Sequence, residues 1–452
     1  MAAPVLDRRL GTFDAASIIL SNVIGSGIFL TPAIVASLTG GGWMMVAVWA
    51  AGGLIAFAGA TAYAELAALR PHAGGEYVYL RAAFGPVAGF LSGWTSFVAG
   101  FSGAVAASAV GFAGYLGHFL PFAADVRPFA TVPLGIVTLK LTPQSSIAML
   151  LIVLLSLIHV RGLGPGRVLQ NVLAGAKVTG LVALVALGLS MGDGSWSHLE
   201  PARFGSASGL LLALVPVMFS YSGWNAASYV AEEIRDPQRL LARALALGTG
   251  AVVAVYLALN LLYVYSLPAG ELAALSGSVM DVIGARLFGP RAGDLLAALT
   301  AVSIAASVSA MTIAGPRVYF AMARDGAFFR RAAVIHPRFR TPSAAIGAQA
   351  LWSILLVLTG SFDQLITYTG FAVVLFSGSA GVALFVLRRR AGEERPVDAW
   401  GYPYMPALFV VASALIVVNA IVRAPGPTAA GVAIIAAGLP LYWMFRLRAP
   451  HG

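Results

Sequence analysis

Long apolar runs dominate this chain, separated by short connections that carry polar residues, proline or glycine. A helix that crosses a bilayer needs roughly 20 mostly apolar residues, and about twelve runs reach that length. They begin near residues 13, 43, 86, 144, 168, 207, 240, 293, 343, 365, 403 and 428. The stretch from about 86 to 120 reads either as one long tilted helix or as a helix with a short extra piece. No polar connection is long enough to build a soluble core. The longest, about 121 to 143 and 268 to 292, have room for short surface helices. The predicted fold class is therefore all-α and integral to a membrane, with one membrane domain over residues 1–452.

Composition sharpens this picture. Hydrophobic residues make up 59% of the chain and charged residues 10%, against about 25% charged in an ordinary soluble domain. Asp7, Arg8, Arg9 and Asp14 lead into the first run with no small-residue cleavage site of the secretory kind, so the N-terminus is expected on the inner side. An even number of spans returns the C-terminus to the same side. Most of the 28 Lys and Arg residues then fall on the inner face, as the positive-inside rule requires, which supports this topology; the expected location is a bacterial-type inner membrane. The net charge of +10 needs no nucleic acid, because anionic lipid is a sufficient partner for Arg388, Arg389, Arg390 and Arg395. There are no cysteines, which removes disulfides and thiol chemistry. The six histidines are scattered without ligand spacing, so no metal or cofactor is expected.

Two spans stand apart. The first carries Ser21-Asn22-Val23-Ile24-Gly25-Ser26-Gly27-Ile28-Phe29 and the sixth Phe219-Ser220-Tyr221-Ser222-Gly223-Trp224-Asn225, at comparable depth. Glycine costs a helix interior about 1 kcal/mol against alanine, and a break facing lipid strands backbone groups at several kcal/mol each. A break survives where it lines a protein cavity. Matched glycine-interrupted spans opening two halves point to an inverted-repeat transporter with its site at the midplane; the plainer alternative is close helix packing over small residues. Lys177, in Asn171-Val172-Leu173-Ala174-Gly175-Ala176-Lys177-Val178-Thr179-Gly180, is the single Lys or Arg at mid-span in this reading, and such a group is a functional hypothesis by default, weighed against a snorkelling structural lysine. Glu65, Glu76, Glu232 and Glu233 fall at inner span ends among Arg70, Arg81, Arg235, Arg239 and Arg243, which predicts inner ion pairs that break and reform during a transport cycle.

The residues from Asn22 to Pro32, N-V-I-G-S-G-I-F-L-T-P, resemble the first-helix signature of the amino acid, polyamine and organocation (APC) transporter superfamily. Three further stretches agree in order and spacing. They are Tyr63-Ala64-Glu65-Leu66 with Pro71 and Gly74-Gly75-Glu76-Tyr77, then Phe219 to Asn225 with Glu232-Glu233 and Pro237, then His336-Pro337-Arg338 with Thr341-Pro342. Within the superfamily, Phe219-x-Tyr221-x-Gly223-Trp224-Asn225, with Lys177 and Asn260-x-x-Tyr263, is most similar to the L-type amino acid transporters and their bacterial relatives.

The resemblance implies the LeuT fold. Spans 1 to 5, about 13–190, and spans 6 to 10, about 207–390, would be inverted repeats, followed by spans 11 and 12, about 403–447. It also implies substrate exchange by alternating access. In a broken helix, backbone N–H groups of the outer half suit a substrate carboxylate and carbonyls of the inner half suit its ammonium. On that expectation Ser26 and Gly27, next to Gly25, are carboxylate donors. Val23, Phe219 and Ser222 carry over from the family as carbonyl acceptors, and Phe219 as an aromatic lid. Asn225 and Tyr221 either contact the substrate side chain or bridge helices. Relatives without sodium coupling place an ammonium at the position of Lys177, tied to the first break and to hydroxyls for which Ser303, Ser307 and Ser309 are candidates, with Tyr263 nearby. Some relatives bind a partner glycoprotein through a disulfide, which a chain without cysteine cannot form. The leading expectation is sodium-independent exchange of small neutral amino acids. The alternative is a proton-coupled symporter using Lys177. A membrane-embedded enzyme would need a catalytic constellation, and the sequence offers none.

Overall fold

A computed structural model describes residues 6–25, 27–135, 137–199, 206–275, 278–289, 292–360, 362–390 and 397–448. It is helical almost throughout. The first span is a bent pair, α1 (Thr12–Val23) and α2 (Gly27–Thr39), meeting at 50°. Next come α3 (Gly42–Leu69), a short α4 (Glu76–Phe84), and α5 (Pro86–Thr95), which runs through a π turn at Ser96–Gly100 into α6 (Phe101–Leu116). Of the two readings of residues 86 to 120, one long span is therefore what forms.

A connection at 121 to 143 leads to α7 (Pro143–Val160) and α8 (Leu163–Met191). The second interrupted span is α9 (Ala207–Tyr221) followed by the single turn α10 (Ala226–Tyr229). The chain continues through α11 (Pro237–Ser266), the small α12 (Ala269–Ala273) and α13 (Val279–Phe288), and the long α14 (Ala292–Arg324). It ends with α15 (Ser343–Thr359), α16 (Phe362–Arg389), α17 (Tyr404–Arg423), α18 (Pro425–Ala436) and α19 (Gly438–Arg448). Among the described residues nine helices are long and apolar enough to cross a membrane, and the α1–α2 pair makes ten. The shorter apolar α9 and α15 occupy the sixth and ninth runs, so a count of twelve depends on including them.

Local chemistry sets the boundaries. Pro143 opens α7, where a missing N–H costs nothing. Thr142 accepts from Ser145 N at 3.0 Å while Ser145 Oγ accepts from Thr142 N at 2.9 Å, a reciprocal cap for the free N–H groups. The connection from 121 to 143 departs from expectation. After one 3-10 turn at Pro121–Ala124 it holds a hairpin, β1 (Ala130–Leu134) against β2 (Val137–Leu141), with Thr131 opposite Lys140 and Leu134 opposite Val137. Valine, threonine and leucine alternate there and favour pairing, and Gly135 at φ +69° turns the chain. The connection from 268 to 292 does carry short helices.

The core gathers around α1, α2, α3, α9 and α11, where Ile19, Phe29, Trp49, Tyr221 and Tyr256 are fully buried. The outer faces of α7, α8 and α17 expose Leu150, Leu154, Val168, Val172, Val411 and Val422, a surface suited to hydrocarbon rather than water. A backbone clamp ties the start of the first interrupted span to the end of the second. Arg9 N and Leu10 N donate to Glu233 O at 2.8 and 2.9 Å, and Arg235 N donates back to Leu10 O at 2.9 Å. The start of α1 is thereby stitched to the segment after α10.

Candidate functional site

Where α1 ends, the carbonyls of its last turn lose their helical partners, and an apolar interior offers no water to replace them. Side chains from three other helices take their place. Lys177 Nζ on α8 donates to Ser21 O at 3.1 Å, to Ile24 O, and to Ser307 Oγ at 3.3 Å. Ser307 Oγ on α14 lies 2.7 Å from Ser21 O and 3.2 Å from Ile24 O. Tyr256 Oη on α11 sits 2.8 Å from Val23 O and 3.0 Å from Ser220 O, so one hydroxyl spans both interrupted spans. A cation at the C-terminal end of α1 also answers the negative end of the helix dipole. Lys177 and Ser307 are buried.

The second interruption is built locally. Ser222 N donates to Phe219 O at 3.0 Å and Ala226 N to Gly223 O at 3.0 Å. Gly223 adopts φ +99°, and a Cβ there would stand 3.0 Å from Asn22 Oδ1, so glycine serves both the backbone angle and the close approach of the two breaks. Gly27 is similarly constrained, since a Cβ would lie 3.0 Å from Ser220 Cα. Thr31 Oγ1 and Ser220 Oγ meet at 2.8 Å beside it.

The residues singled out by sequence divide as follows. Val23, Gly25 and Gly27 lie at the first break, Gly25 against Ser307 with 3.4 Å from its would-be Cβ to Ser307 Oγ; Ser26 lies outside the described residues. Phe219 and Ser222 lie at the second break, Phe219 with 48% of its surface exposed. Tyr221 is buried and donates to Trp49 O at 3.2 Å, a bridge to α3. Asn225 turns to Glu76 Oε1 and to Tyr229 Oη, the latter at 3.2 Å. Of the three candidate serines only Ser307 reaches Lys177. Ser309 bonds His159 at 2.9 Å instead, and the Ser303 hydroxyl has no partner among the described residues. Two steps along a helix turn a side chain by about 200°, which takes Ser309 off the face of Ser307. Tyr263 is buried and its hydroxyl is likewise unpartnered among the described residues. Sequence reasoning missed Tyr256, although the stripe Tyr256, Asn260, Tyr263 on an apolar helix is a signal that could have found it.

The predicted ion pairs form with other partners. Arg388 of α16 holds Glu65 through Nε at 2.7 Å, Arg324 holds Glu232 at 3.0 Å, and Arg317 holds Glu233 at 2.9 and 3.0 Å. These arginines lie far along the chain from their acids rather than beside them; Arg81 pairs with Asp325, and Arg235 bonds the carbonyl of Arg9. Arg388 is therefore a structural cation and not a lipid contact, with its guanidinium 3.6 Å from the Tyr402 ring centre. Arg390 binds the carbonyls of Ala82 and Ala83, Arg389 is exposed, and Arg395 lies outside the described residues. Burial pushes the Glu233 carboxyl up, and Arg317 beside it opposes the rise. Glu76 forms no ion pair among the described residues.

The amino acid permease family profile matches residues 10–445. The chain belongs to that family. It is accordingly a multi-pass membrane transporter of amino acids and not an enzyme. Relatives span nearly its whole length. The serine/threonine exchanger SteT of Bacillus subtilis is 27% identical over 448 residues, covering 98% of each chain. Human large neutral amino acids transporter small subunit 2 is 29% identical, covering 97% of this chain and 80% of the relative. Mouse Asc-type amino acid transporter 1 is 28% identical, covering 97% and 81%.

Proposed function

We propose that this permease exchanges small neutral L-amino acids across the inner membrane by alternating access, without sodium, both termini lying in the cytoplasm. The observation that carries the proposal is the amino group of Lys177 at the end of α1, bonded to two backbone carbonyls and Ser307. A fixed cation there supplies the charge that a bound metal cation would bring to a helix C-terminus, so closing the first break needs no ion from solution. In this reading the two halves, about 13–190 and 207–390, are inverted repeats of a LeuT arrangement that opens with the two interrupted spans. Gly27 and Ser26 present N–H groups to the substrate carboxylate. The carbonyls of Val23, Phe219 and Ser222 receive its ammonium, with the Phe219 ring as lid and Asn225 holding α10. Tyr263 and Ser303 complete the coupling region around Lys177 and Ser307.

Neutrality is supported by the breaks themselves, where Lys177 is the one charged side chain bonded to the backbone among the described residues. The relative SteT is itself a serine/threonine exchanger, which agrees with this reading. Proteoliposomes in sodium-free buffer at uniform pH provide the test. Uptake of labelled serine or alanine should require unlabelled amino acid inside. Uptake into empty vesicles driven solely by an imposed proton gradient would replace exchange with proton symport.

A further inference from the structure

Among the described residues four buried glutamates line the junctions between helices, and three are neutralised by arginine. The fourth, Glu76 at the start of α4, is 6% exposed and receives neutral donors instead. Its Oε1 accepts from Tyr63 Oη at 2.9 Å and from Asn225 Nδ2, and the Tyr229 hydroxyl lies beside them, accepting from Asn225 Nδ2 at 3.2 Å. The charged groups on neighbouring elements are committed elsewhere. On α3, Glu65 is taken by Arg388 of α16. On α4 itself, Tyr79 is buried and Arg81 is held by Asp325, which follows α14. On α10 the facing groups are Asn225 and Tyr229. No Lys or Arg bonds Glu76 among the described residues.

A carboxylate removed from water with no cation takes up a proton rather than remain charged. Burial raises the affinity of Glu76 for a proton, and its hydroxyl and amide donors oppose that without reversing it. Position gives the proton a consequence. Asn225 is the residue entering α10 directly after the Gly223 break, so the carboxyl holds the second half of the sixth span.

We propose that Glu76 is a proton-binding site coupled to the second interrupted span: protonated in the packed arrangement seen here, and losing its proton to water when α10 moves away. The proton leaves the carboxyl oxygen for solvent on opening and returns on closing, with no other bond made or broken. Its transport readout rests on the exchanger reading; its spectroscopic readout does not.

Infrared difference spectra of the purified full-length protein should show a protonated-carboxyl band at neutral pH that Glu76→Gln removes. Exchange of labelled serine at equal pH on both sides should change about threefold or more between about pH 5 and pH 9 in the parent, while E76Q stays near the parent's low-pH rate. Should E76Q not fold, Tyr63→Phe, which removes one donor to the charged form, should move the titration of the band to higher pH. A missing band, a band untouched by E76Q or unmoved by Y63F, or a parent-like pH profile in E76Q overturns the proposal. If the parent exchanges no amino acid at any pH, the exchanger reading has failed and the infrared result alone decides Glu76.

Discussion

The two interrupted spans solve one problem in opposite ways. At the first, the stranded carbonyls of Ser21, Val23 and Ile24 are covered from a distance, by Lys177 of α8, Ser307 of α14 and Tyr256 of α11. At the second, backbone N–H groups of Ser222 and Ala226 cover the carbonyls locally, and long-range attachment runs through Asn225 to Glu76. The first break is thus tied to the scaffold by a lysine side chain, the second by a buried carboxyl group. Backbone polar groups in an apolar interior must be paired, yet a pairing made by another helix also transmits that helix's movement. Tyr256, touching Val23 and Ser220 together, joins the two.

The contrast between a lysine lock and a carboxyl lock should fail most visibly at Lys177. Lys177→Met keeps the volume and removes the cation, leaving two buried carbonyls with only Ser307 to serve them. The cost should reach about 3 kcal/mol in detergent unfolding, because buried acceptors lose charged donors, and exchange should fall below about a tenth of the parent rate, as an order-of-magnitude expectation from the same loss. Gly223→Ala comes next. A φ of +99° with Asn22 Oδ1 at 3.0 Å from the new Cβ should cost about 1–3 kcal/mol in the same assay, with transport lost more steeply than stability. Tyr256→Phe should cost about 1 kcal/mol and raise the concentration of amino acid needed for half-maximal exchange. Ser307→Ala should cost about 0.5–1.5 kcal/mol and slow exchange, whereas Ser309→Ala, which faces His159, should leave exchange nearly intact. Equal effects at the two serines would erase the distinction between the lock and its surroundings.

Stability should also carry the sign of Glu76. Its folded-state proton affinity is raised by burial, so the folded protein binds more protons than the unfolded one. Its contribution is fully present at pH below the ordinary carboxylate range and is lost as pH rises through the raised value. Glu76→Gln should flatten that part of the pH dependence of unfolding.

How much of this could be read from sequence differed with the range of the interaction. Both breaks were legible because glycine and serine crowd into a few consecutive residues of apolar spans. Lys177 was legible because a lone mid-span cation is costly. The ion pairs were assigned to the wrong partners because their true arginines lie 84, 92 and 323 residues away, and arginines close in sequence look equally suitable. Glu76 was grouped with the paired acids for the same reason, since its lack of an arginine is a fact of packing. Tyr256 is one of 14 tyrosines, and its role appears only where α11 crosses both breaks. The hairpin at 130–141 is not legible in the sequence because its two five-residue strands are short beside the apolar spans that flank them.

The proposed sodium-independent exchange turns on the Lys177 amino group closing the first break in place of an ion from solution. Sodium titration of serine-for-serine exchange in proteoliposomes, parent beside Lys177→Met, puts that to the test. The parent should exchange at the same rate with and without sodium, and the Met variant should lose exchange in sodium-free buffer. Parent uptake that rises with sodium, or a Met variant exchanging at the parent rate without it, would contradict this role for Lys177.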